Sequence, residues 1–381
     1  MLDEKDIGYL ERAMELAEKA RGDTSPNPLV GAVIVRGNEV VGEGYHLGPG
    51  QDHAEIVAIK DAVGRSGAAS SADALTGATM YVSLEPCCTY GRTPPCTQAL
   101  IAAGFGRIVV GAIDPSARVN GRGLDCLRAA GIGVDLADGA VAHRARRQNE
   151  AMRKAVVTGL PFVTYKYAMT IDGRIASDSG DSRWISGPES RALVHRWRSW
   201  TDAVMVGTGT LKADDPRLTA REVPTHRQPL RVVLDRALTI KRESALVSTV
   251  AEGAVLVVCG PEVTAFRRAQ VESWGIEVLT VVTGPEGPLD PHEVGRALVS
   301  RGVASVLLEG GARLAGAWWA AGLIDKLAAF VCPRVASGLE NRGPLLGPGA
   351  LRMDEATELR EVEVRQLGAN LLVTGYREEP F

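Results

Sequence analysis

An excess of charge of either sign is the first thing this chain lacks: 43 lysines and arginines stand against 46 aspartates and glutamates, a net charge of −3 with a pI of about 6.1. A nucleic-acid surface normally shows as a strongly basic domain, so no nucleic-acid partner is expected. The local cluster Arg144, Arg146 and Arg147 fits a solvated helix face at least as well as an anion site. Long apolar runs are missing too. Nothing approaches the roughly eighteen residues needed to span a bilayer, and the acidic start Met1-Leu2-Asp3-Glu4-Lys5-Asp6 leads into an amphipathic helix instead of a basic-then-apolar leader. No membrane association and a place in the cytoplasm are therefore expected. Cysteine is scarce, six in 381 residues, which argues against a disulfide scaffold and suits reduced thiols. No internal repeat relates the two halves, although the length fits two to three domains of about 100–200 residues and the 45% hydrophobic share gives ample core.

What is present is concentrated. His53-Ala54-Glu55 is followed by Pro86-Cys87 and then by Cys96. A catalytic zinc takes three protein ligands and keeps one position open, and an imidazole with two thiolates supplies the three. Zinc held this way lowers the pKa of bound water to about 7, and Glu55, beside the metal, is the general acid–base that shuttles the proton. Ile56, Ile59, Ala62 and Val63 recur at helical spacing after Glu55, and Ala99, Leu100 and Ala103 after Cys96, which places both ligand sets at helix starts whose positive ends favour thiolates. The order His-x-Glu, Pro-Cys, Cys matches the signature of zinc deaminases of bases. Cys88 is read as a non-ligand, and Cys126, Cys259 and Cys332 as core residues. The second cysteine comes nine positions after the first where three is usual, and the inserted loop carries Arg92 and Thr93, a charge and a hydroxyl suited to a substrate phosphate.

Pro-Cys followed by Gly91-Arg92-Thr93-Pro94-Pro95-Cys96 resembles the bifunctional deaminase-reductases of riboflavin biosynthesis. Upstream, Pro26-Asn27-Pro28-Leu29-Val30-Gly31 and Gly44-Tyr45-His46 fit the same family, and the resemblance implies that Asn27 hydrogen-bonds the pyrimidine and that His46 contacts substrate. Asp114-Pro115 belongs to it as well, though Ser116-Ala117 departs from the family's pattern. It implies a cytidine-deaminase-like three-layer α/β/α sandwich over residues 1–145 and a dihydrofolate-reductase-like α/β domain over 146–381. Periodicity agrees with alternating elements: a helix to about Ala20, a hairpin across Arg36-Gly37-Asn38, strands through Met80–Leu84 and Ile108–Ile113, and a helical, arginine-bearing connection from about Ala140 to Val157.

In the second half, strand-like runs at Phe162–Met169, Ala203–Val206, Leu230–Leu234, Ala254–Val258 and Val303–Leu308 start a new α/β pattern. Leu308-Glu309-Gly310-Gly311 opens a helix whose amides can cradle a phosphate, and Gly207-Thr208-Gly209-Thr210 allows close backbone approach. Taken singly, each glycine pair is also what an ordinary turn looks like. The succession Lys166–Gly173, Ser182–Gly187, Val206–Thr210, Ala213–Thr219 and Glu309–Gly311 resembles the reductase half of the same family. The resemblance implies that NADPH touches Ala168, Trp184, Thr210, Asp214 and the run Gly311, Ala312, Arg313, Leu314, Ala315, Gly316 and Ala317. It implies that substrate touches Ser182, Arg198, Leu218, Arg221 and Glu309. By residue type alone, Arg198 and Arg221 are equally ordinary exposed arginines, Trp184 a core residue, and Asp214 a turn cap. No protein nucleophile stands out in this half, as suits hydride transfer from a nicotinamide. The implied activity is zinc-dependent deamination of a phosphoribosylated diaminopyrimidinone followed by NADPH-dependent reduction of its ribose, by a homo-oligomer acting on a small molecule. The rival reading is a zinc deaminase of another nucleotide or nucleic-acid base with a non-catalytic second domain.

Overall fold

The computed structural model describes residues 2–90, 94–282, 289–338 and 343–379. They form two compact units whose sequence division falls between Thr158 and Gly159, later than the 145/146 division expected from the sequence. Packing explains the difference. The arginine-bearing connection folds as two helices, and the first buries Val141, Ala142 and Ala145 in one cluster with Leu10, Ala13 and Met14 of the N-terminal helix. Asn149, at the break between them, accepts from the N–H of Leu29 (2.7 Å) and donates to its carbonyl (2.9 Å).

The first unit runs α1 (Glu4–Glu18), β1 (Gly31–Arg36), β2 (Glu39–Tyr45), α2 (Ala54–Ser66), α3 (Ser71–Leu75), β3 (Thr79–Val82), α4 (Cys96–Ala102), β4 (Arg107–Val110), α5 (Arg122–Ala129), β5 (Gly133–Leu136), α6 (Gly139–Gln148) and α7 (Glu150–Thr158). Its sheet has the order β2-β1-β3-β4-β5, antiparallel as far as β3 and parallel beyond. Side chains alternate across a strand. Ala32 and Ile34 of β1 therefore join Ala58, Leu100 and Leu127 from α2, α4 and α5 on one face, while Val33 and Val35 join Leu10 and Val141 from α1 and α6 on the other. The result is the α/β/α sandwich expected. Gly44 on β2 lets α2 come close: a Cβ there would lie 2.4 Å from the backbone nitrogen of Ala58. That contact fixes the helix that His53 caps.

The second unit runs β6 (Phe162–Thr170), α8 (Pro188–Trp200), β7 (Ala203–Gly207), α9 (Thr208–Asp214), β8 (Leu230–Leu234), α10 (Ala245–Ser248), β9 (Val255–Cys259), α11 (Ala265–Glu272), β10 (Glu277–Thr280), α12 (Pro291–Val299), β11 (Ser305–Leu308), α13 (Ala312–Ala320), β12 (Lys326–Cys332), β13 (Arg360–Leu367) and β14 (Asn370–Tyr376). Its sheet reads β10-β9-β8-β7-β11-β6-β12-β14-β13, parallel from β10 through β12 and antiparallel at the last two pairings. Both faces of the parallel part are covered: Met205, Val232 and Leu308 pack with Ala315 and Trp318 of α13, while Val204, Val233 and Val257 pack with Leu211 and Val271. In such sheets ligands bind outside the carboxyl ends of the strands. The glycine pairs at 207–209 and 310–311 lie at those ends.

Candidate metal centre and cofactor cleft

His53 is the N-cap of α2, Glu55 lies in its first turn, and Cys96 opens α4. His53 Nδ1 is 3.2 Å from Cys96 Sγ and 3.6 Å from Cys87 Sγ, and the three ligand atoms all lie within 4.8 Å of one another. Tetrahedral zinc, with Zn–S about 2.3 Å and Zn–N about 2.0–2.1 Å, holds such atoms about 3.6–3.8 Å apart. The donor set and its spacing therefore fit the ion. The N–H of Cys96 donates to Cys87 Sγ at 3.3 Å and that of Thr97 to the Cys87 carbonyl at 3.2 Å, so the start of α4 is tied to the other thiol. Glu55 is 3% exposed. Burial pushes its carboxyl up to about 7, into the range useful for exchanging protons near neutrality.

Asn27 and His46 are brought to the same place. The rings of His46 and His53 meet edge-on at 5.5 Å between centroids. His46 Nδ1 lies 3.0 Å from the carbonyl of Asp52, a pure acceptor, so that nitrogen carries the proton; Nε2 then accepts from Asn27 Nδ2 at 3.0 Å. Burial lowers the pKa of His46, which favours the neutral ring. Arg92 and Thr93 lie outside the described residues. Cys88 is not part of the cluster, and Cys259 and Cys332 are buried, but Cys126 is exposed on α5 and not in the core, because it lies on the outer side of a helix whose Leu124 and Leu127 point inward.

One residue of this centre escapes the sequence motifs. Glu85, directly before Pro86-Cys87, is 4% exposed and accepts from the N–H groups of Asp114 (3.2 Å), Gly121 (2.9 Å) and Gly123 (2.9 Å). It ties the ligand-bearing segment to the loop after β4 and to the start of α5. Its one signal is a carboxylate in the otherwise uncharged Ser-Leu-Glu-Pro-Cys run.

In the second unit a cleft of about 970 Å³ opens at the strand ends. Thr210, Asp214, Gly311, Ala312, Arg313, Leu314 and Ala317 line it, together with Ser182. The N–H of Gly311 donates to Thr210 Oγ1 at 3.1 Å, which locks the two glycine-bearing turns together. Four residues expected at the cofactor are placed differently. Ala168 on β6 and Trp184 are not among the lining residues; Trp184 is 62% exposed and stacks under the Arg191 guanidinium at 4.7 Å, so it is not core either. Ala315 and Gly316 are buried on the inner side of α13, and a Cβ at Gly316 would lie 1.9 Å from the carbonyl oxygen of Leu346, so close packing accounts for that glycine.

Arg198, Arg221 and Glu309 form a separate group. Arg198 grips Glu309 with two nitrogens, at 2.6 and 3.0 Å, and Lys166 Nζ stands 3.8 Å from the same carboxylate. Burial raises the Glu309 pKa, but Arg198 and Lys166 outweigh it and bring it down to about 2. The Arg198 and Arg221 side chains both donate to the Thr219 carbonyl, at 3.1 and 3.4 Å, and Leu218 beside it is 2% exposed. Arg198 is thus no ordinary surface arginine. Lys166 belongs to the Lys166–Gly173 motif, yet nothing in the sequence assigns it to this group.

Comparison with known proteins bears on both units. Residues 3–112 match the cytidine and deoxycytidylate deaminase zinc-binding region, and residues 161–373 match the RibD C-terminal domain. The chain is 39% identical to the riboflavin biosynthesis protein RibD of Synechocystis, over 97% of this chain and 96% of that one. The chain belongs to the RibD family. The Escherichia coli RibD is 36% identical, covering 96% of this chain and 98% of its own. Among solved structures, the Thermotoga maritima diaminohydroxyphosphoribosylaminopyrimidine deaminase/5-amino-6-(5-phosphoribosylamino)uracil reductase superposes with a TM-score of 0.82 at 31% identity, over 99% of both chains. A RibD of Acinetobacter baumannii gives 0.83 at 32%, over 98% of both. As a member of this family, the chain is a bifunctional enzyme of riboflavin biosynthesis, a zinc-dependent deaminase in its first unit and an NADPH-dependent reductase in its second. It acts on a small molecule. No helix among the described residues is long and apolar enough to cross a membrane.

Proposed function

We propose that the first unit deaminates 2,5-diamino-6-(5-phosphoribosylamino)pyrimidin-4-one and that the second reduces the product's ribosyl group to ribityl, giving 5-amino-6-(5-phosphoribitylamino)uracil. The observation that carries this is the convergence of His53, Cys87 and Cys96 beside a buried carboxylate, in a chain whose other unit offers a dinucleotide-sized cleft. His53, Cys87 and Cys96 hold the metal, which supplies Lewis acidity and activates water near neutral pH. Asn27 and His46 hold the pyrimidine edge, while Arg92 and Thr93 take its phosphate. Glu55 carries a proton to the ring nitrogen and then to the departing amine, so that water is added, ammonia leaves and a carbonyl remains.

In the second unit the amides at the start of α13 would hold the cofactor's pyrophosphate, and Thr210, Asp214, Arg313 and Ala317, which line the same cleft, would contact the cofactor as well. Ser182, Arg198, Leu218, Arg221 and Glu309 orient the phosphosugar. When bound, the nicotinamide would supply a hydride to the anomeric carbon of the ring-opened sugar in its imine form, whose nitrogen would take up a proton and so keep its bond to the ribityl carbon. The enzyme works in the cytoplasm as a homo-oligomer. A coupled assay with the diaminopyrimidinone phosphate and stereospecifically deuterated NADPH tests the whole reading. Expected are one ammonia released per NADPH oxidised and one deuteron on the anomeric carbon; ammonia without NADPH consumption, or label on another carbon, rejects it.

A further inference from the structure

Among the described residues, the cationic side chains lining the cleft are Arg236 and Arg313. Arg313 belongs to the first turn of α13, where a pyrophosphate common to NADH and NADPH is received. Arg236 stands two positions beyond the end of β8, on the far side of β7 from β11 and β6. Hydride has to reach the substrate, whose proposed contacts Arg198 and Glu309 cluster with Lys166 of β6. A dinucleotide with its pyrophosphate at the turns after β7 and β11 and its nicotinamide on that side therefore directs its adenosine the other way, toward β8. The 2′-phosphate on that adenosine is what distinguishes NADPH from NADH.

The residue before Arg236 closes the other option. Sites that take NADH commonly offer the adenosine ribose an acidic side chain near a strand end. Here that position holds Asp235, which is 1% exposed and turned inward, accepting from Thr208 Oγ1 (3.3 Å), Thr239 Oγ1 (3.1 Å) and the N–H of Ile240 (2.8 Å). Its carboxylate is committed to the fold, and Arg236 is left lining the cleft. Arg236 Nε donates to Glu262 at 2.5 Å, in an ion pair whose side chains are 50% and 45% exposed. Pairs so open to water contribute little, whereas a guanidinium matches phosphate oxygens with two parallel N–H bonds.

We propose that Arg236 selects NADPH over NADH by pairing with the adenosine 2′-phosphate, which takes the place of Glu262. The proposal rests on the assignment of the cleft to NADPH. The six tryptophans, Trp184, Trp197, Trp200, Trp274, Trp318 and Trp319, all lie in the second unit, so tryptophan emission of the full chain reports nucleotide binding there. Titration with NADP⁺ and NAD⁺ is expected to show that Arg236→Ala weakens NADP⁺ by about tenfold or more while NAD⁺ changes by less than about twofold. Arg313→Ala is expected to weaken both alike. A loss shared equally by the two nucleotides in Arg236→Ala, no loss in that variant, or an NADP⁺-specific loss in Arg313→Ala instead, overturns the proposal. The unaltered protein gives a check that needs no variant: 2′,5′-ADP should compete for the cleft better than 5′-ADP, and equal competition also overturns it. A protein that binds neither NADP⁺ nor NAD⁺ refutes the cofactor assignment itself, a result distinct from all of these.

Discussion

The two units solve different chemical problems with different economies of residues. The first concentrates its chemistry in side chains close in sequence and packed at two helix starts, His53 with Glu55 and Cys96 with Cys87 tied to it. The second spreads its contacts from Lys166 to Ala317, over the ends of several parallel strands, because a dinucleotide is long and carries the hydride itself. A metal centre needs donors at fixed short separations; a cofactor cleft needs backbone that can be approached. Loss of function should accordingly be abrupt in one unit and graded in the other.

The largest expected effect breaks one unit and spares the other. Glu55→Gln keeps the shape of the buried side chain but removes its capacity to move a proton. Ammonia release should fall by about 10²–10⁴-fold, with zinc content by metal analysis unchanged and reduction of the deaminated substrate unaffected. Deamination at the normal rate would take the proton-transfer role from Glu55.

Much of this contrast is legible in the amino-acid sequence alone, and what is not has physical causes. Short, chemically constrained spacings such as His53-Ala54-Glu55 announce themselves, since few folds need that set of donors. The hairpin, the helix after Glu55 and the parallel runs at β6, β7, β8, β9 and β11 follow from periodicity. β12 and β13 do not. β12 reads Lys-Leu-Ala-Ala-Phe-Val-Cys, a short apolar run that periodicity cannot separate from a helix. β13 alternates charge, Arg360-Glu361-Val362-Glu363-Val364-Arg365, and nearly all of it is exposed, so it lacks the core-facing stripe by which strands are recognised. Glu85 and Lys166 are hidden for a further reason: each acts on groups distant in sequence, and no local pattern shows which amides or carboxylate it will meet.

A second, smaller effect tests the graded unit. Arg198 and Glu309 are 13% and 9% exposed in their side chains. Arg198→Ala strips a buried carboxylate of its forked partner and leaves Lys166, at 3.8 Å, as the nearby lysine or arginine among the described residues. A cost of about 3 kcal/mol is expected, the lower end for breaking a buried pair because one cation remains. Urea unfolding followed by tryptophan emission reads this directly, since every tryptophan lies in the second unit. Reductase activity should fall with it while ammonia release stays at its normal rate. A fall in both activities would show that the two units are not energetically separable.

The smallest effect is one of stability and pH in the first unit. Asp6, at the start of α1, accepts from Tyr81 Oη at 2.8 Å and from both terminal nitrogens of Arg107 at 2.7 and 2.8 Å. The Arg107 bonds lower its pKa, against the opposing effect of burial. A carboxylate whose folded pKa lies below its unfolded value, about 3.9, contributes stability that is fully present above that value and is lost as pH falls through the folded one. Asp6→Asn should therefore cost about 1–2 kcal/mol at neutral pH, discounted because Arg107 is 35% exposed. Hydrogen exchange of the α1 amides, comparing protein and variant at each pH, should show a constant gap from pH 8 to about 5 that narrows below about pH 4. A gap that widens on acidification would mean that Asp6 is held protonated in the fold, and that the Tyr81 and Arg107 contacts do not govern its charge.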